Sequence, residues 1–129
     1  MQALDRFSKQ KYLNLETFRK SGVGVKTPVW FVQEGGKLYV KTLNNSGKVK
    51  RIRNNQHVNI VPSKVDGKPT GSWLHGVSRI VNEEILEQRV EILYEKKYGL
   101  LKKLFFRARP DKDVEYCVLE LEPVEAENL

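Results

Sequence analysis

The feature that most constrains the fold is a succession of short segments rich in β-branched and aromatic residues, separated by turn residues. The predicted strands span residues 12–18, 25–33, 37–42, 58–61, 73–81 and 114–121. Parallel strands need long crossover connections, usually helices, and helical segments do not alternate regularly with these strands. The sequence therefore predicts a mainly β protein, an antiparallel barrel or sandwich of six strands with few helices.

Turn and capping residues predict the local features that join these strands. Glu34–Gly36, between the second and third strands, is typical of a β-hairpin. Ser46 can cap a short helix over Lys48–Asn55, because its hydroxyl can accept a hydrogen bond from the first turn. A longer helix is expected to follow Asn82 and to break near Gly99.

Size and composition limit the class of protein. The 129 residues, of 15.0 kDa, are the size of one domain over residues 1–129. With 40% hydrophobic and 30% charged residues, the chain is too apolar for a disordered tail. Its longest apolar stretch, Val29–Val32, is far shorter than the roughly 20 residues that a membrane helix needs. No membrane span is expected.

The cysteine and histidine content argues against a metal site. The single cysteine, Cys117, excludes an internal disulfide and a cysteine-based zinc site. His57 and His75 stand on separate predicted strands without evident carboxylate partners, so structural histidines are expected rather than metal ligands. One cysteine, together with a charged first segment in place of an apolar leader, predicts a cytoplasmic protein.

Charge predicts an anionic partner. Lys and Arg total 23 against 16 for Asp and Glu, a formal net charge of +7. Nucleic acid, an acidic membrane surface and a phosphorylated small molecule all match such a charge. The basic residues are concentrated between Lys41 and Arg53, a segment without acidic residues.

Within that segment, Thr42, Ser46, Lys48 and Arg51 predict a phosphate site. A strand end, a small-residue loop and a helix N-terminus present free N–H groups, to which Thr42 and Ser46 add hydroxyls. Lys48 and Arg51, three residues apart, share a helix face. The pattern is not a Walker motif. A solvated basic helix face and a nucleic-acid contact remain alternative interpretations.

Two further features have both a structural and a functional interpretation. Pro28, inside an otherwise good strand, must lie at an edge or a bulge, where neighbouring backbone groups become free for a ligand. Trp30, Tyr39 and Trp73 could stack on bases, but aromatic residues in mid-strand are more often part of a core.

Five motifs in register carry a resemblance to a known family. They are Thr17-Phe18-Arg19-Lys20, Thr27-Pro28-Val29-Trp30-Phe31, Leu38-Tyr39-Val40-Lys41-Thr42, Ser46-Gly47-Lys48-Val49-Lys50-Arg51-Ile52-Arg53 and Gly67-Lys68-Pro69-Thr70-Gly71. From about Lys11 to Val81 the chain resembles the pyridoxamine 5′-phosphate oxidase-like split-barrel flavoproteins. Within them it is most similar to the branch that uses the deazaflavin coenzyme F420.

The resemblance implies a homodimer of six-stranded split barrels with FMN or F420 held at the dimer interface. Thr27, Pro28, Val29 and Trp30 would contact the ring system largely through backbone groups. Thr42, Ser46, Lys48 and Arg51 would hold the phosphate, and Trp73 would come from the partner subunit.

Departures from the family pattern limit what the resemblance implies. Gly47-Lys48 replaces the basic pair that grips the FMN phosphate in the oxidases proper, so one lysine does more of that work. The C-terminal region that binds pyridoxal phosphate in those enzymes has no counterpart, which disfavours vitamin B6 oxidation. Catalytic residues cannot be carried over, because hydride transfer is the cofactor's chemistry.

The expected function is a flavin- or deazaflavin-dependent oxidoreductase that moves a hydride to or from a small organic substrate. A non-catalytic FMN- or F420-binding carrier of the same fold is the alternative. The charge of +7 favours F420, whose tail carries further anions that Lys41, Lys50 and Arg53 could contact. A nucleic-acid-binding barrel explains the charge but not the Thr27–Trp30 motif.

Overall fold

The computed structural model describes residues 3–106 and 115–124, and for residues 3 and 100–106 only the backbone. After a 3₁₀-helix at Ala3–Phe7, this part of the chain forms seven strands and two helices. They are β1 (Tyr12–Phe18), β2 (Gly24–Val29), β3 (Val32–Glu34), β4 (Lys37–Leu43), α1 (Gly47–Asn54), β5 (His57–Ser63), β6 (Leu74–Ile80), α2 (Glu84–Phe106) and β7 (Tyr116–Pro123).

The strands form one antiparallel sheet in the order β2-β1-β5-β6-β7-β4-β3. Its two edge strands, β2 and β3, are consecutive in the chain, and only Trp30 and Phe31 separate them. A link of that length spans at most about 11 Å. The sheet must therefore curl until its edges approach each other, which confirms the antiparallel split barrel expected from the sequence.

The single strand expected over residues 25–33 is two strands, so the sheet has seven strands and not the predicted six. At the break, hydroxyls of α2 bond the backbone groups of Trp30 and Phe31. The Tyr94 hydroxyl donates to the Trp30 carbonyl at 2.8 Å, and the Tyr98 hydroxyl accepts from the Phe31 N–H at 3.1 Å. These bonds take the place of strand pairing, so the chain can leave one edge of the sheet and begin the other.

Alternate side chains of the strands fill the half-barrel. The buried cluster comprises Leu4, Phe7, Leu13, Leu15, Phe31, Leu38, Val40, Val49, Ile52, Val58, Ile60, Leu119 and Leu121. Val49 and Ile52 belong to α1, which covers the end of the barrel where β1 finishes. At the other end the ring of Phe7 packs edge-on against Phe31, with centroids 5.8 Å apart. The interior is a packed core and leaves no room for a three-ring ligand.

A second core joins α2 to the outer surface of the sheet. It comprises Val32, Tyr39, Val81, Val90, Tyr94, Tyr98 and Val118. The break expected near Gly99 is wrong, because α2 continues through this residue. One glycine in a helix costs only about 1 kcal/mol relative to alanine, and the buried tyrosines of the preceding turns hold the helix on the sheet.

Two other local predictions are confirmed. Gly35 and Gly36 have φ values of 60° and 77° and form the turn between β3 and β4. Two successive positive φ values suit the twist of a tight hairpin, and glycine adopts them without strain. Pro28 lies on β2, an edge strand, as its missing N–H requires. No helix in the described ranges is long and apolar enough to cross a membrane.

Candidate functional site

The N-terminus of α1 presents free hydrogen-bond donors beside a barrel end. Ser46 is the N-cap, and its hydroxyl oxygen accepts from the Val49 N–H at 3.4 Å, which confirms the predicted cap. The first N–H groups of a helix have no acceptor within the helix. Those of Gly47 and Lys48 therefore face outward, where the helix dipole favours an anion.

Arg51 is held over this first turn. Its Nε–H donates to the Thr17 hydroxyl oxygen at 2.6 Å, and Thr17 is fully buried at the end of β1. A Cβ on residue 47 would lie 2.7 Å from Arg51 Nη1, closer than such atoms approach. Gly47 thus leaves space for the guanidinium, and Thr17 fixes its direction.

The Lys48 and Arg51 side chains act on each other electrostatically and have no acidic partner among the described residues. Burial, and next the Arg51 charge, lower the pKa of the Lys48 ammonium. Burial, and next the Arg19 charge, lower the pKa of the Arg51 guanidinium. Within residues 3–106 and 115–124, neither Lys48 nor Arg51 forms an ion pair with a carboxylate. A bound dianion would offset both unfavourable charges.

Thr42 lies at the same end of the barrel. It is the last buried residue of β4 and stands opposite Cys117 of β7 in the register. Burial raises the pKa of the Cys117 thiol, on which Lys48 also acts electrostatically. The Ser46 N–H donates to the Leu43 carbonyl at 3.1 Å, which keeps the loop after β4 short and tight. The chain thus gathers Thr42, Ser46, Lys48 and Arg51 around one helix end.

The other basic residues predicted to contact an anion, Lys41, Lys50 and Arg53, differ in whether another group already engages their charge. Lys41 forms an ion pair with Glu91 at 2.5 Å and lies 5.0 Å from the centre of the Tyr116 ring, so its charge is already engaged. Lys50 is exposed, and Arg53 is exposed with one bond of 3.4 Å to the Asn44 side chain. Only Lys50 and Arg53 are therefore available to an extended anion.

The Thr27–Trp30 segment follows the edge strand β2 away from the α1 end, where Val25 pairs with Thr17. Thr27 pairs with Leu15 and Val29 with Leu13, and β2 has a strand neighbour on one side only. The Trp30 side chain is half-buried against α2. Its ring stacks on Tyr98 with centroids 4.4 Å apart and planes 2° apart, and its carbonyl is bonded to Tyr94.

Trp73 belongs to a different surface within one protomer. It precedes β6 and is half-buried on the outside of the barrel, with Lys26 Nζ 5.2 Å from its ring centre. Among the described side chains, the cluster that joins α2 to the sheet contains no residue of β2, β1, β5 or β6, which form this half of the outer surface. Asn14 Oδ1 is buried there without a hydrogen-bond partner, although Asn14 Nδ2 donates to the Gly67 carbonyl at 2.8 Å.

Sequence reasoning missed three residues of the α1 site. The sequence motif that contains Thr17 and Arg19 indicates no role for either residue, and the position of Cys117 in the sequence does not place it near Lys48. The period of two in β1 was the available signal, because it places Thr17 on the same face as Leu13 and Leu15. The described residues hold no group of three or more His, Cys, Asp or Glu side chains that could bind a metal.

Comparison with solved structures confirms the resemblance at the level of the fold. The structure matches a Listeria innocua protein named "Putative Pyridoxamine 5'-phosphate oxidase" with a TM-score of 0.67 and 16% identity, over 95% of this chain and 90% of the other. It matches an F420 reductase with a TM-score of 0.64 and 17% identity, over 95% and 93%. The class that the fold defines is the pyridoxamine 5′-phosphate oxidase-like split barrel.

Neighbours of other kinds share this fold. HutZ, the heme storage protein from Vibrio cholerae, matches with a TM-score of 0.69 and 16% identity, over 91% of this chain and 84% of its own. No protein-family model matches the chain. No curated protein matches it either.

Proposed function

We propose that this protein binds FMN or F420 by its phosphate at the N-terminus of α1. The observation that supports this most is the pair Lys48 and Arg51 at the helix N-terminus, two cations that have no carboxylate partner among the residues the structure describes. A phosphate is a dianion with several acceptor oxygens, so it matches the charge and the donors together. Ser46 and Thr42 would add hydroxyl contacts.

The ring system would lie outside the barrel, because side chains fill the interior. Backbone groups of Thr27, Pro28 and Val29 on the edge strand would contact it, and the Trp30 ring would only support this segment from behind. The cofactor supplies the hydride chemistry, and this chain's residues bind and orient it. The F420 reductase and the FAD-binding protein of Mesorhizobium loti among the structural neighbours support a cofactor of this type.

The proposed activity is hydride transfer to or from a small organic substrate. A non-catalytic carrier is the second candidate, and the packed Trp30 favours it, because the ring face that stacks on Tyr98 is closed to a substrate. The single cysteine, Cys117, is a free thiol and agrees with a cytoplasmic setting. F420 remains the preferred cofactor because Lys50 and Arg53 are exposed beside the phosphate site.

We propose that two copies form a dimer through the outer surface of β2, β1, β5 and β6, which contributes no residue to the described core cluster under α2. Trp73 lies half-buried on this surface, where a second copy would cover its ring. The molecule in solution should have twice the 15.0 kDa mass of one chain, which light scattering at micromolar concentration measures. A 15.0 kDa particle that still binds cofactor fully would contradict the dimer.

Two measurements test the cofactor. The absorbance spectrum and mass of any ligand released from purified protein identify it directly. Titration of Lys48→Ala with FMN and with F420 should show a loss of about 1.5–3 kcal/mol in binding, roughly tenfold or more in Kd. Lys64→Ala, an exposed lysine outside the site, is the matched control and should bind as the wild type does.

Further outcomes separate the alternatives. Equal weakening by Lys48→Ala and Lys64→Ala would show that only the net charge acts. Tighter binding of FMN than of F420 would reverse the cofactor choice. Tight F420 binding without oxidation of reduced F420 by quinones, enones or tetrapyrroles would favour the carrier over the enzyme.

A further inference from the structure

A cleft of about 400 Å³ lies between the 3₁₀-helix, the start of β3 and the outer part of α2. Of its apolar lining residues, Phe7, Phe31 and Val32 are buried beneath the cleft and Leu93 is half-buried at its surface, while lysines stand around it. This volume lies in the usual range for small-molecule sites, about 300–1,000 Å³. The cleft is open to solvent and plays no part in the proposed cofactor site.

Lys97 is the polar group most closely built into this cleft. Its ammonium lies 3.5 Å from the centre of the Phe31 ring and donates to the Phe31 carbonyl at 2.9 Å. Burial lowers the pKa of Lys97 to about 8. Among the described side chains no carboxylate pairs with it. The described part of the chain thus holds a partly dehydrated cation over the buried Phe31 ring and supplies no counter-ion to it.

Two further lysines add to the positive charge at the rim. Lys9 follows the 3₁₀-helix with a φ of 68°, a left-handed conformation that side chains other than glycine rarely adopt. The turn is fixed by the Gln10 N–H, which donates to the Phe7 carbonyl at 3.1 Å. Lys96 also lines the cleft, although its charge acts on Glu34 as well.

The cleft and the α1 site lie at opposite ends of β1. The hydroxyl of Tyr98, the residue after Lys97, donates to the Lys11 carbonyl at 2.7 Å. Lys11 lies just before the start of β1. Arg51 contacts Thr17, six residues further along. Six residues of strand span about 20 Å. A ligand in the cleft would therefore not compete directly with a phosphate at α1.

We infer that the cleft binds an amphipathic carboxylate, with its acidic head at Lys97 and its hydrocarbon body against Leu93, above the buried Phe7, Phe31 and Val32. A single desolvated ammonium matches a head group of one negative charge. The apolar lining gains from a hydrocarbon body, which a bare phosphate or sulfate lacks. The inference stands independently of the proposed cofactor.

Calorimetric titration of the full chain with octanoate, butanoate and octan-1-ol tests this assignment. Octanoate should bind, and each added CH₂ between butanoate and octanoate should tighten binding by up to about fourfold. Octan-1-ol should bind at least tenfold more weakly than octanoate, because it lacks the charge. Equal affinity for octanoate and octan-1-ol, or no binding of octanoate at millimolar concentration, would overturn the assignment.

Variants then locate the contact. Lys97→Met keeps an apolar stem without charge and should weaken octanoate binding at least tenfold. Lys64→Met, far from the cleft in sequence and exposed, should leave it unchanged. If the two variants bind octanoate equally well, Lys97 is not the head-group contact.

A measurement on the unaltered chain covers the case in which Lys97→Met does not fold. Octanoate should shift the backbone amide resonances of residues 7–9 and 31–33 in a ¹⁵N spectrum. Shifts confined to residues 46–51 would place the fatty acid at α1 and overturn the proposal. Saturation with FMN should leave the octanoate Kd unchanged, whereas loss of octanoate binding would show that the two ligands share one site.

Discussion

Two groups of basic side chains on this barrel differ in what faces them. Glu120 of β7, only 4% exposed, accepts hydrogen bonds from Arg79, Lys37 and the Tyr39 hydroxyl at 3.0 to 3.3 Å. Lys48 and Arg51 face no carboxylate in the described parts of the chain. The charges of Arg79 and Lys37 are neutralised by Glu120, and these contacts stabilise the fold. The charges of Lys48 and Arg51 stay available to a ligand, as expected of a binding site.

The pKa shifts follow this difference. Burial alone would raise the pKa of Glu120, but the hydrogen bonds from Arg79, Lys37 and Tyr39 outweigh it and lower that pKa. Burial, with the Glu120 charge second, raises the pKa of Tyr39 to about 12, so its hydroxyl stays protonated and donates. At α1 the pKa values of both cations fall instead. Partners therefore decide whether a buried charge stabilises the fold or awaits a ligand.

The largest expected effect is the loss of the Glu120 carboxylate. Glu120→Gln places an amide NH₂ beside donors that need acceptors, so the free energy of unfolding should fall by about 2–4 kcal/mol. The lower half of this range allows for Arg79, whose side chain is 41% exposed and can be hydrated. Urea denaturation followed by circular dichroism measures the change.

Glu122→Gln is the matched control for this variant. Glu122 is 60% exposed and lies 3.9 Å from Lys37, so its loss should change the free energy of unfolding by less than about 0.5 kcal/mol. Similar losses for Glu120→Gln and Glu122→Gln would remove the distinction between a neutralised group and an available one.

The second effect is the pH dependence that Glu120 contributes. Its pKa is lower in the folded chain than in the unfolded chain, so its contribution to stability is complete above the unfolded value. That contribution is lost as the pH falls through the pKa of Glu120 in the folded chain, over a range that begins at about pH 5. The wild type should lose more stability than Glu120→Gln over this range. Parallel stability curves would contradict the assignment.

How well the sequence predicted these regions depended on the range of the interactions. The Gly35–Gly36 hairpin and the Ser46 cap were correct because their determinants lie within a few residues of each other. The break at Trp30 and Phe31 was missed because its cause, the hydroxyls of Tyr94 and Tyr98, lies more than 60 residues away.

The range of the interactions also limits what the sequence predicts about the two groups of charged residues. Lys48 and Arg51 lie on one helical turn, so their common face could be predicted from spacing. The partner of Arg51, Thr17, is 34 residues away, and Glu120 meets Arg79 across 41 residues. Nothing in the local pattern distinguishes Glu120 from the exposed Glu122, because residues two apart on a strand face the same side.

A smaller effect is expected from Thr17→Val, which removes the acceptor that directs Arg51 but keeps the buried shape. Binding of FMN or F420 should weaken by about 1 kcal/mol, roughly fivefold in Kd, because the guanidinium must be ordered by the ligand alone. Fluorescence titration measures the change. The exposed Thr70→Val should bind as the wild type does, and an equal Kd for Thr17→Val would show that Arg51 does not contact the phosphate.

The smallest expected effect is that of Lys48→Met on the stability of the ligand-free protein. The sign of the change in the free energy of unfolding is what tests the comparison. A lysine whose pKa is lowered by folding opposes folding while it is charged, and Lys48 is such a lysine. Lys48→Met should therefore raise the free energy of unfolding at neutral pH, by less than about 0.5 kcal/mol. Lys37→Met, which removes a donor to Glu120, should lower it instead. Urea denaturation of both variants at low salt measures the two changes in the free energy of unfolding. Changes of opposite sign would mean that Lys37 stabilises the fold, whereas Lys48 is kept for a ligand. A loss of stability for Lys48→Met would show that its charge is already satisfied within the protein.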